Sequence, residues 1–146
     1  MKKETKKETL TASTEVVIHF YDIDSLNIVW HGNYVKYLEN GREAFGKKFG
    51  FDYMDIYRNG YIAPILDLHV RYMNMMALGE RLVVETRYVP CNAAKLMFDY
   101  TVYRQSDHTV AAEASTIQLF MTRDGILEVS APAFYRQWKK KWNQDA

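Results

Sequence analysis

The chain has 146 residues and a formal net charge of +1, with 48% hydrophobic and 25% charged residues. This length suits one globular domain with its own core, and so small a net charge does not predict nucleic acid as a partner. The single cysteine, Cys91, excludes a disulfide within the chain, which favours a reducing compartment. Its neighbours Pro90 and Asn92 carry no charge that would activate a thiol, so we interpret Cys91 as structural.

The first residues are charged and lack the apolar stretch of a secretory signal. No run approaches the ~18 consecutive apolar residues that a membrane span requires. We therefore expect a cytoplasmic protein in which residues 1–12 form a solvated, flexible tail and residues 13–146 form one domain.

The first half of the chain predicts one strand and two helices. Alternating apolar and polar residues indicate a half-buried strand over residues 14–21, and the Asp-, Ser- and Asn-rich residues 22–27 indicate a turn. A helical pattern covers residues 32–49, with Gly41 on its apolar face, where close approach to a sheet would explain a glycine. A shorter helix is expected over residues 52–58.

The second half predicts mainly strands. Period-two patterns occur in three runs: residues 66–72, 82–88 and 96–102. A longer mixed run covers residues 110–122, and Asp124-Gly125 then predicts a tight hairpin turn into a strand over residues 126–129. Pro132 opens a last helix with an aromatic face.

This order of elements predicts an α+β fold, in which an antiparallel sheet of five to six strands wraps around one long central helix. One helix cannot cover both faces of such a sheet. The outer face needs a partner, so we expect an oligomer, either a homodimer or a homotetramer.

The turn before the long helix holds the candidate chemistry. Asp22, Asp24 and His31 surround the helix start, where the first amides point outward with the positive end of the helix dipole. Such amides can polarise a carbonyl, and a nearby carboxylate can attack a thioester or activate water. Asp, Ser and Asn are equally the preferred capping residues. The pattern alone therefore leaves a catalytic and a purely structural interpretation open.

Residues 21–34 read Tyr-Asp-Ile-Asp-Ser-Leu-Asn-Ile-Val-Trp-His-Gly-Asn-Tyr. This run resembles the signature of the 4-hydroxybenzoyl-CoA thioesterase and related hot-dog-fold acyl-CoA thioesterases. Residues 34–42 resemble the Tyr-x-x-Tyr-x-Glu-x-x-Arg pattern of their helix, and residues 79–82 resemble their Gly-Asp-x-Leu strand start, with Glu80 in place of the Asp. The resemblance covers about residues 14–125 in element order and implies the hot-dog fold and thioester hydrolysis.

The resemblance also implies roles for individual residues. Asp24 takes the catalytic place and Asp22 a structural one, while the amide of His31 takes the place of the donor to the thioester carbonyl. The His31 side chain matches a histidine that is thought to assist. Asn27 stands where the family has glycine, and Asn is the best replacement if that position needs a positive φ. The residues expected to contact substrate are Asn27, Trp30, Tyr34 and Pro64.

Several alternatives stay open. Asp24 could act as a nucleophile or as a general base, and Tyr34 could serve packing alone. Glu39 lies on the helix, as the acid does in another hot-dog branch, but a salt bridge with Arg42 at i,i+3 is the simpler interpretation. Other candidate activities are acyl carrier protein thioesterase, hydratase, and acyl-CoA or carrier-protein binding without turnover.

No cofactor is expected, since CoA is part of the substrate. The run Lys139-Lys140-Lys141 is a candidate for binding the CoA phosphates, although a charge run is commonly a solvated face. His69 and His108 have no metal-ligand spacing with acids or with Cys91, so we expect no metal.

Overall fold

The computed structural model describes residues 8–145. Its long strands are β1 (Thr11–Val17), β3 (Ile65–Tyr72), β4 (Arg81–Val89), β5 (Lys95–Arg104) and β6 (Val110–Leu119). They form one antiparallel sheet in the order β1-β4-β5-β6-β3. Two short strands, β2 (Tyr61–Ile62) and β7 (Met121–Thr122), pair with each other.

Three helices accompany the sheet: α1 (Asn33–Phe49), α2 (Tyr53–Arg58) and α3 (Ala133–Lys141). α1 packs against β1 and β4 and buries Leu38 and Phe45 in the core. One long helix against an antiparallel five-stranded sheet is the hot-dog arrangement, so the predicted α+β fold is confirmed. Within residues 8–145 no helix is long and apolar enough to cross a membrane.

Gly41 lies where α1 comes closest to β4. A Cβ atom at this position would lie 2.4 Å from Thr86 Oγ1 and 2.7 Å from Val84 Cγ1, well inside van der Waals contact. The missing side chain therefore lets the helix approach the sheet, as the position of this glycine on the apolar face predicted.

The beginning of β1 differs from the prediction. Leu10 and Ala12 are buried, and β1 starts at Thr11, so the predicted tail of residues 1–12 is wrong from Leu10 onward. Burial of these apolar side chains and pairing with β4 account for the difference. Residues 1–7 lie outside the described part of the chain. β1 also ends at Val17, because a 3-10 turn over Phe20–Asp22 replaces the predicted end of the strand and leaves Phe20 exposed.

The predicted strand over residues 126–129 is also wrong. The turn is present, with Gly125 at φ 85° and its amide donating to Thr122 O at 2.9 Å. Only one isolated bridge, between Met121 and Leu127, follows it. β7, the strand on the other side of the turn, is only two residues long and directly follows the fully buried Phe120.

β3 is an edge strand, at the opposite end of the sheet from β1. Its residues Leu68 and Tyr72 pair with Thr116 and Ala112, which are buried on the core side. Leu68 and Tyr72 nevertheless remain exposed, as does Leu66. α1 covers β1 and β4 and leaves this end of the core side open.

Candidate active site

Asp22 ties the end of the 3-10 turn to the start of α1. Its buried carboxylate accepts a hydrogen bond from His19 N at 2.8 Å. Its carbonyl oxygen accepts from Trp30 N at 2.9 Å and from Asn33 Nδ2 at 2.7 Å. Both the side chain and the backbone of Asp22 are thus used to hold the turn, which agrees with the structural role predicted for it.

Asp24 lies in a tight turn that precedes α1, and its side chain lines a cavity. Its amide donates to Ile28 O and its carbonyl accepts from Asn27 N, both at 2.9 Å. Oδ1 accepts from Leu26 N at 2.8 Å, while Oδ2 has no hydrogen-bond partner within residues 8–145. One carboxylate oxygen therefore fixes the orientation of the half-buried side chain, and the other is available to a reactant.

Asn27 has φ 64°, in the left-handed region that glycine adopts most easily. This is the conformation in which asparagine is the expected replacement for glycine, because asparagine tolerates it better than other residues with a Cβ. Asn27 is exposed and does not line the cavity that contains Asp24. Its visible role is to close the turn, and its contact with substrate stays a prediction.

The start of α1 leaves two amides unused. The amides of Asn33 and Tyr34 donate to the carbonyls of Trp30 and His31, at 3.0 and 3.4 Å. The amides of His31 and Gly32 donate to no group in the described part of the chain. They lie at the positive end of the helix dipole, where they can bind a carbonyl oxygen that gains negative charge.

Asp24 and His31 line one cavity of about 260 Å³, together with Tyr34. The remaining lining residues are Leu26, Ile28, Val29, Tyr72, Met73, Asn74, Met75 and Met76. Most of these belong to the end of β3 and the link to β4, and none of the predicted site residues lies there. The available signal was the density of methionines directly after the strand, since exposed apolar residues in a link often face a ligand.

Tyr72 holds the end of β3 against the start of α1. Its hydroxyl donates to His31 O at 2.7 Å, and its ring packs edge-on against the rings of Tyr34 and His31, with centroids 5.3 and 6.3 Å apart. A second bond joins Val29 N to Met76 O at 2.9 Å. These contacts fix the position of the unused His31 amide relative to the cavity.

The Tyr34 hydroxyl makes no hydrogen bond within residues 8–145, although the residue is buried. Burial, together with the neighbouring Tyr72 and Glu80, raises the pKa of Tyr34 to about 12. At neutral pH the side chain is therefore a neutral hydroxyl that can donate a hydrogen bond into the cavity.

Like Asn27, two further predicted substrate contacts, Trp30 and Pro64, lie outside this cavity. Trp30 is exposed, its ring covers Gly32, and it tilts against the His31 ring with centroids 5.2 Å apart. Pro64 is exposed just before β3, where its carbonyl accepts from Leu119 N at 3.1 Å. A single copy of the chain does not bring Pro64 to the cavity that Asp24 lines.

Glu39 and Arg42 form the predicted salt bridge, which is confirmed. Arg42 is buried and also donates to Tyr100 Oη at 3.0 Å and to Tyr53 Oη at 3.3 Å. Glu39 does not line the cavity of Asp24, so its carboxylate serves the buried guanidinium.

The lysine run contains one residue that solvent does not reach. Lys139 is buried, its Nζ donates to Cys91 O at 3.0 Å and it lies 4.8 Å from the centroid of the Tyr135 ring. The interpretation of Lys139 as a phosphate ligand is therefore wrong, because its ammonium group is buried against the link between β4 and β5, and only Lys140 and Lys141 of the run are exposed. Among the described residues no three His, Cys, Asp or Glu side chains are grouped to hold a metal, and the absence of a metal stays a prediction.

Comparison with known proteins identifies a family for the chain. The model of the Thioesterase-like superfamily matches residues 18–139. The chain is 25% identical over 124 residues to the Bacillus subtilis (strain 168) protein named "Putative acyl-CoA thioesterase YneP", covering 85% of this chain and 89% of that protein. It is 23% identical to the chloroplastic acyl-acyl carrier protein thioesterase ATL3 of Arabidopsis thaliana, over 73% of this chain and 56% of that longer protein.

Solved structures share the fold. A DHNA-CoA thioesterase from Staphylococcus aureus superimposes with a TM-score of 0.81 at 22% identity, over 91% of this chain and 89% of that one. The 4-hydroxybenzoyl CoA thioesterase from Pseudomonas sp. strain CBS-3 superimposes with a TM-score of 0.76, also at 22% identity, over 88% and 98% of the two chains. Because the family match spans most of the sequence, the chain belongs to the Thioesterase-like superfamily. The predicted family and enzyme class are thereby confirmed.

Proposed function

We propose that this member of the Thioesterase-like superfamily hydrolyses acyl-CoA thioesters in the cavity between Asp24 and the start of α1. The observation that carries this function is the pairing of an open carboxylate oxygen on Asp24 with the unused amide of His31, since both residues line one cavity. A nucleophile or base and a carbonyl-binding donor are the two groups that acyl transfer requires. The names of the Bacillus relative and of the two solved structures point to CoA thioesters as the substrate class.

In the proposed reaction the thioester oxygen accepts a hydrogen bond from the His31 amide. Charge grows on that oxygen as the carbonyl carbon is attacked, and one such donor is worth roughly 3 kcal/mol in the transition state. The peptide that carries the His31 amide is already held in place, because its carbonyl, Trp30 O, accepts from Asn33 N and Tyr72 binds the next peptide through His31 O. The exposed His31 ring is proposed to assist at the mouth of the cavity.

Asp24 acts in one of two ways. As a general base, it takes a proton from water while the water oxygen bonds to the carbonyl carbon, the C–S bond breaks, and the CoA thiolate recovers a proton. As a nucleophile, its oxygen bonds to the carbonyl carbon and displaces CoA, and water then hydrolyses the resulting anhydride. Neither route needs a cofactor beyond the CoA of the substrate. The CoA carrier and the single cysteine both favour the cytoplasm.

The complete site is proposed to need a second copy of the chain. β3 is an edge strand with exposed apolar side chains. Such a strand can pair with the same strand of a second copy across a two-fold axis. Pairing of β3 with β3 would bring the link that carries Pro64 from one copy toward the cavity of the other. A homodimer is the smallest assembly that satisfies this, and a homotetramer would contain two such pairs.

Asp24→Asn tests the assignment. The amide oxygen of asparagine can still accept from Leu26 N, so the turn and the thermal stability are expected to persist. Without an ionisable carboxylate, kcat on an acyl-CoA is expected to fall at least about 100-fold. Free thiol release gives the rate, and Asp107→Asn, an exposed carboxylate far along the chain, is the matched control. A normal kcat for Asp24→Asn would remove Asp24 from the mechanism.

Acyl carrier protein is the second candidate acyl donor, favoured by the similarity to the chloroplastic enzyme ATL3. The same acyl group presented on CoA and on carrier protein separates the two. A kcat/KM at least about tenfold higher on the carrier protein would replace CoA as the proposed carrier. Binding of acyl-CoA without release of free CoA would instead favour a domain that does not turn over its ligand.

A further inference from the structure

The cavity of Asp24 has two chemically different sides. Its polar groups, Asp24, His31 and Tyr34, belong to the turn and to the start of α1. The side formed by the link after β3 is apolar except for Asn74, whose amide group already donates to Val110 O at 2.7 Å. No Lys or Arg occurs among the lining residues. The wall away from the reacting groups can therefore make apolar contacts with a ligand but few hydrogen bonds.

Methionine dominates this apolar wall. Met76 is buried, whereas Met73 is 47% exposed and Met75 is 72% exposed. Unbranched thioether side chains adjust their shape to the ligand and occur at surfaces that accept ligands of different lengths. Met73 and Met75 thus continue the wall of the cavity outward into solvent, as a strip that a ligand can cover.

The size of the cavity helps to decide which acyl group covers that strip. A cavity of about 150 Å³ already holds one benzene ring, and this one measures about 260 Å³ before the exposed parts of Met73 and Met75 are counted. A single aromatic ring would therefore leave the outer methionine surface in water. A flexible chain of methylenes can extend along the exposed parts of Met73 and Met75 and bury more apolar area with each added carbon.

We infer that the strip Met73–Met76 is the acyl subsite and that it selects unbranched aliphatic acyl groups of medium to long chain over single-ring aromatic ones. This inference rests on the proposed function, because it takes Asp24 and His31 as the reacting end. It assigns the β3–β4 link as the element that determines specificity.

A substrate series on the unmodified protein tests the inference directly. Butyryl, octanoyl, dodecanoyl and hexadecanoyl-CoA are compared with benzoyl and 4-hydroxybenzoyl-CoA, and kcat/KM is measured for each. Each added methylene that reaches the strip is expected to raise kcat/KM roughly threefold, until the chain passes its end. A flat response to chain length, or a preference for either aromatic substrate, would overturn the inference while leaving thioester hydrolysis intact.

Met75→Glu tests the strip itself, because it places a carboxylate on the apolar wall at an exposed position that folding tolerates. The ratio of kcat/KM for dodecanoyl-CoA to that for butyryl-CoA is expected to fall at least about tenfold. Leu78→Glu is the matched control: Leu78 lies in the same link, is exposed, and does not line the cavity. Its ratio is expected to stay at the wild-type value.

The remaining outcomes separate the possible failures. If Met75→Glu and Leu78→Glu have the same ratio of kcat/KM for dodecanoyl-CoA to that for butyryl-CoA, Met75 is not part of the acyl subsite. A loss of oligomer mass for Met75→Glu, with an unchanged ratio, would assign the strip to a second copy of the chain and overturn its role in selecting the acyl group. Absence of hydrolysis on every substrate, with or without Asp24, would overturn the proposed function and the inference together.

Discussion

At the scale of single residues, Tyr34 links the site to the stability of the fold. Its pKa is raised to about 12 because burial disfavours the charged phenolate. In the unfolded chain tyrosine ionises near pH 10, so above that pH the unfolded state loses its proton first. Tyr34 therefore contributes stability that is fully present below about pH 10 and is lost as the pH rises toward 12.

Tyr34→Phe removes this dependence without breaking a hydrogen bond, because no described group pairs with the hydroxyl. The free energy of unfolding near pH 8 is expected to change by less than about 0.5 kcal/mol. Its fall between about pH 9 and about pH 11 should be shallower than in the wild type. Urea unfolding at several pH values measures both. An unchanged slope in Tyr34→Phe would contradict the burial account.

Residues whose roles depend on near neighbours could be predicted from the sequence. The positive φ of Asn27 follows from a turn closed within five residues, and the Glu39–Arg42 pair follows from helical spacing. Tyr72 could not be assigned in this way, because its bond to His31 O joins residues 41 positions apart. Burial of Lys139 likewise depends on Cys91, which lies on another part of the chain.

At the scale of elements, the contact between α1 and β4 depends on Gly41. Alanine there would gain about 1 kcal/mol of helix propensity. Its Cβ, however, would lie 2.4 Å from Thr86 Oγ1 and 2.7 Å from Val84 Cγ1, so the helix or the sheet must move. Overpacking of this kind commonly costs about 1–3 kcal/mol, and most of that range exceeds the gain.

Gly41→Ala is therefore expected to lower the free energy of unfolding by up to about 2 kcal/mol, measured by urea denaturation. Asn40→Ala, on the exposed side of the same helix, is the control and should stay within about 0.5 kcal/mol of wild type. Combining Gly41→Ala with Thr86→Ala removes one of the two clashes and should recover part of the loss. Equal effects of Gly41→Ala and Asn40→Ala would mean that α1 does not approach β4 so closely.

The strands show where periodicity stops being informative. The alternating patterns located β4 and β5 to within two residues, because α1 and the core bury one side of each. β3 has the same alternation, yet Leu68 is exposed on the core side. Alternation indicates that one face of a strand is apolar. It does not indicate whether that face is covered by residues of the same chain or of another copy.

At the scale of the whole molecule, the two edges of the sheet differ. β1 is an edge strand with α1 packed against it, whereas β3 leaves exposed apolar side chains on the side that α1 does not cover. An uncovered edge with apolar neighbours invites pairing with another strand. Since β3 also ends at Tyr72, beside the start of α1, an interface along β3 would border the cavity of Asp24.

Introducing negative charges on β3 should therefore dissociate the oligomer into single chains. Leu66→Glu with Leu68→Glu places two carboxylates at side chains that are 60% and 37% exposed in the single chain. Light scattering after gel filtration is expected to give a dimer or tetramer for the wild type and a monomer of 17.2 kDa for the double variant. Activity should fall with the oligomer, because the link that carries Pro64 would no longer reach the neighbouring cavity.

Val17→Glu is the control on the opposite edge strand, where the side chain is 36% exposed, almost the same as Leu68. It adds a comparable charge to β1, and its mass and activity should stay at the wild-type values. A wild type that is monomeric and active would show that one copy forms a complete site. An oligomer that persists in the double variant would place the interface elsewhere, and the outer face of the sheet would then be the next surface to change.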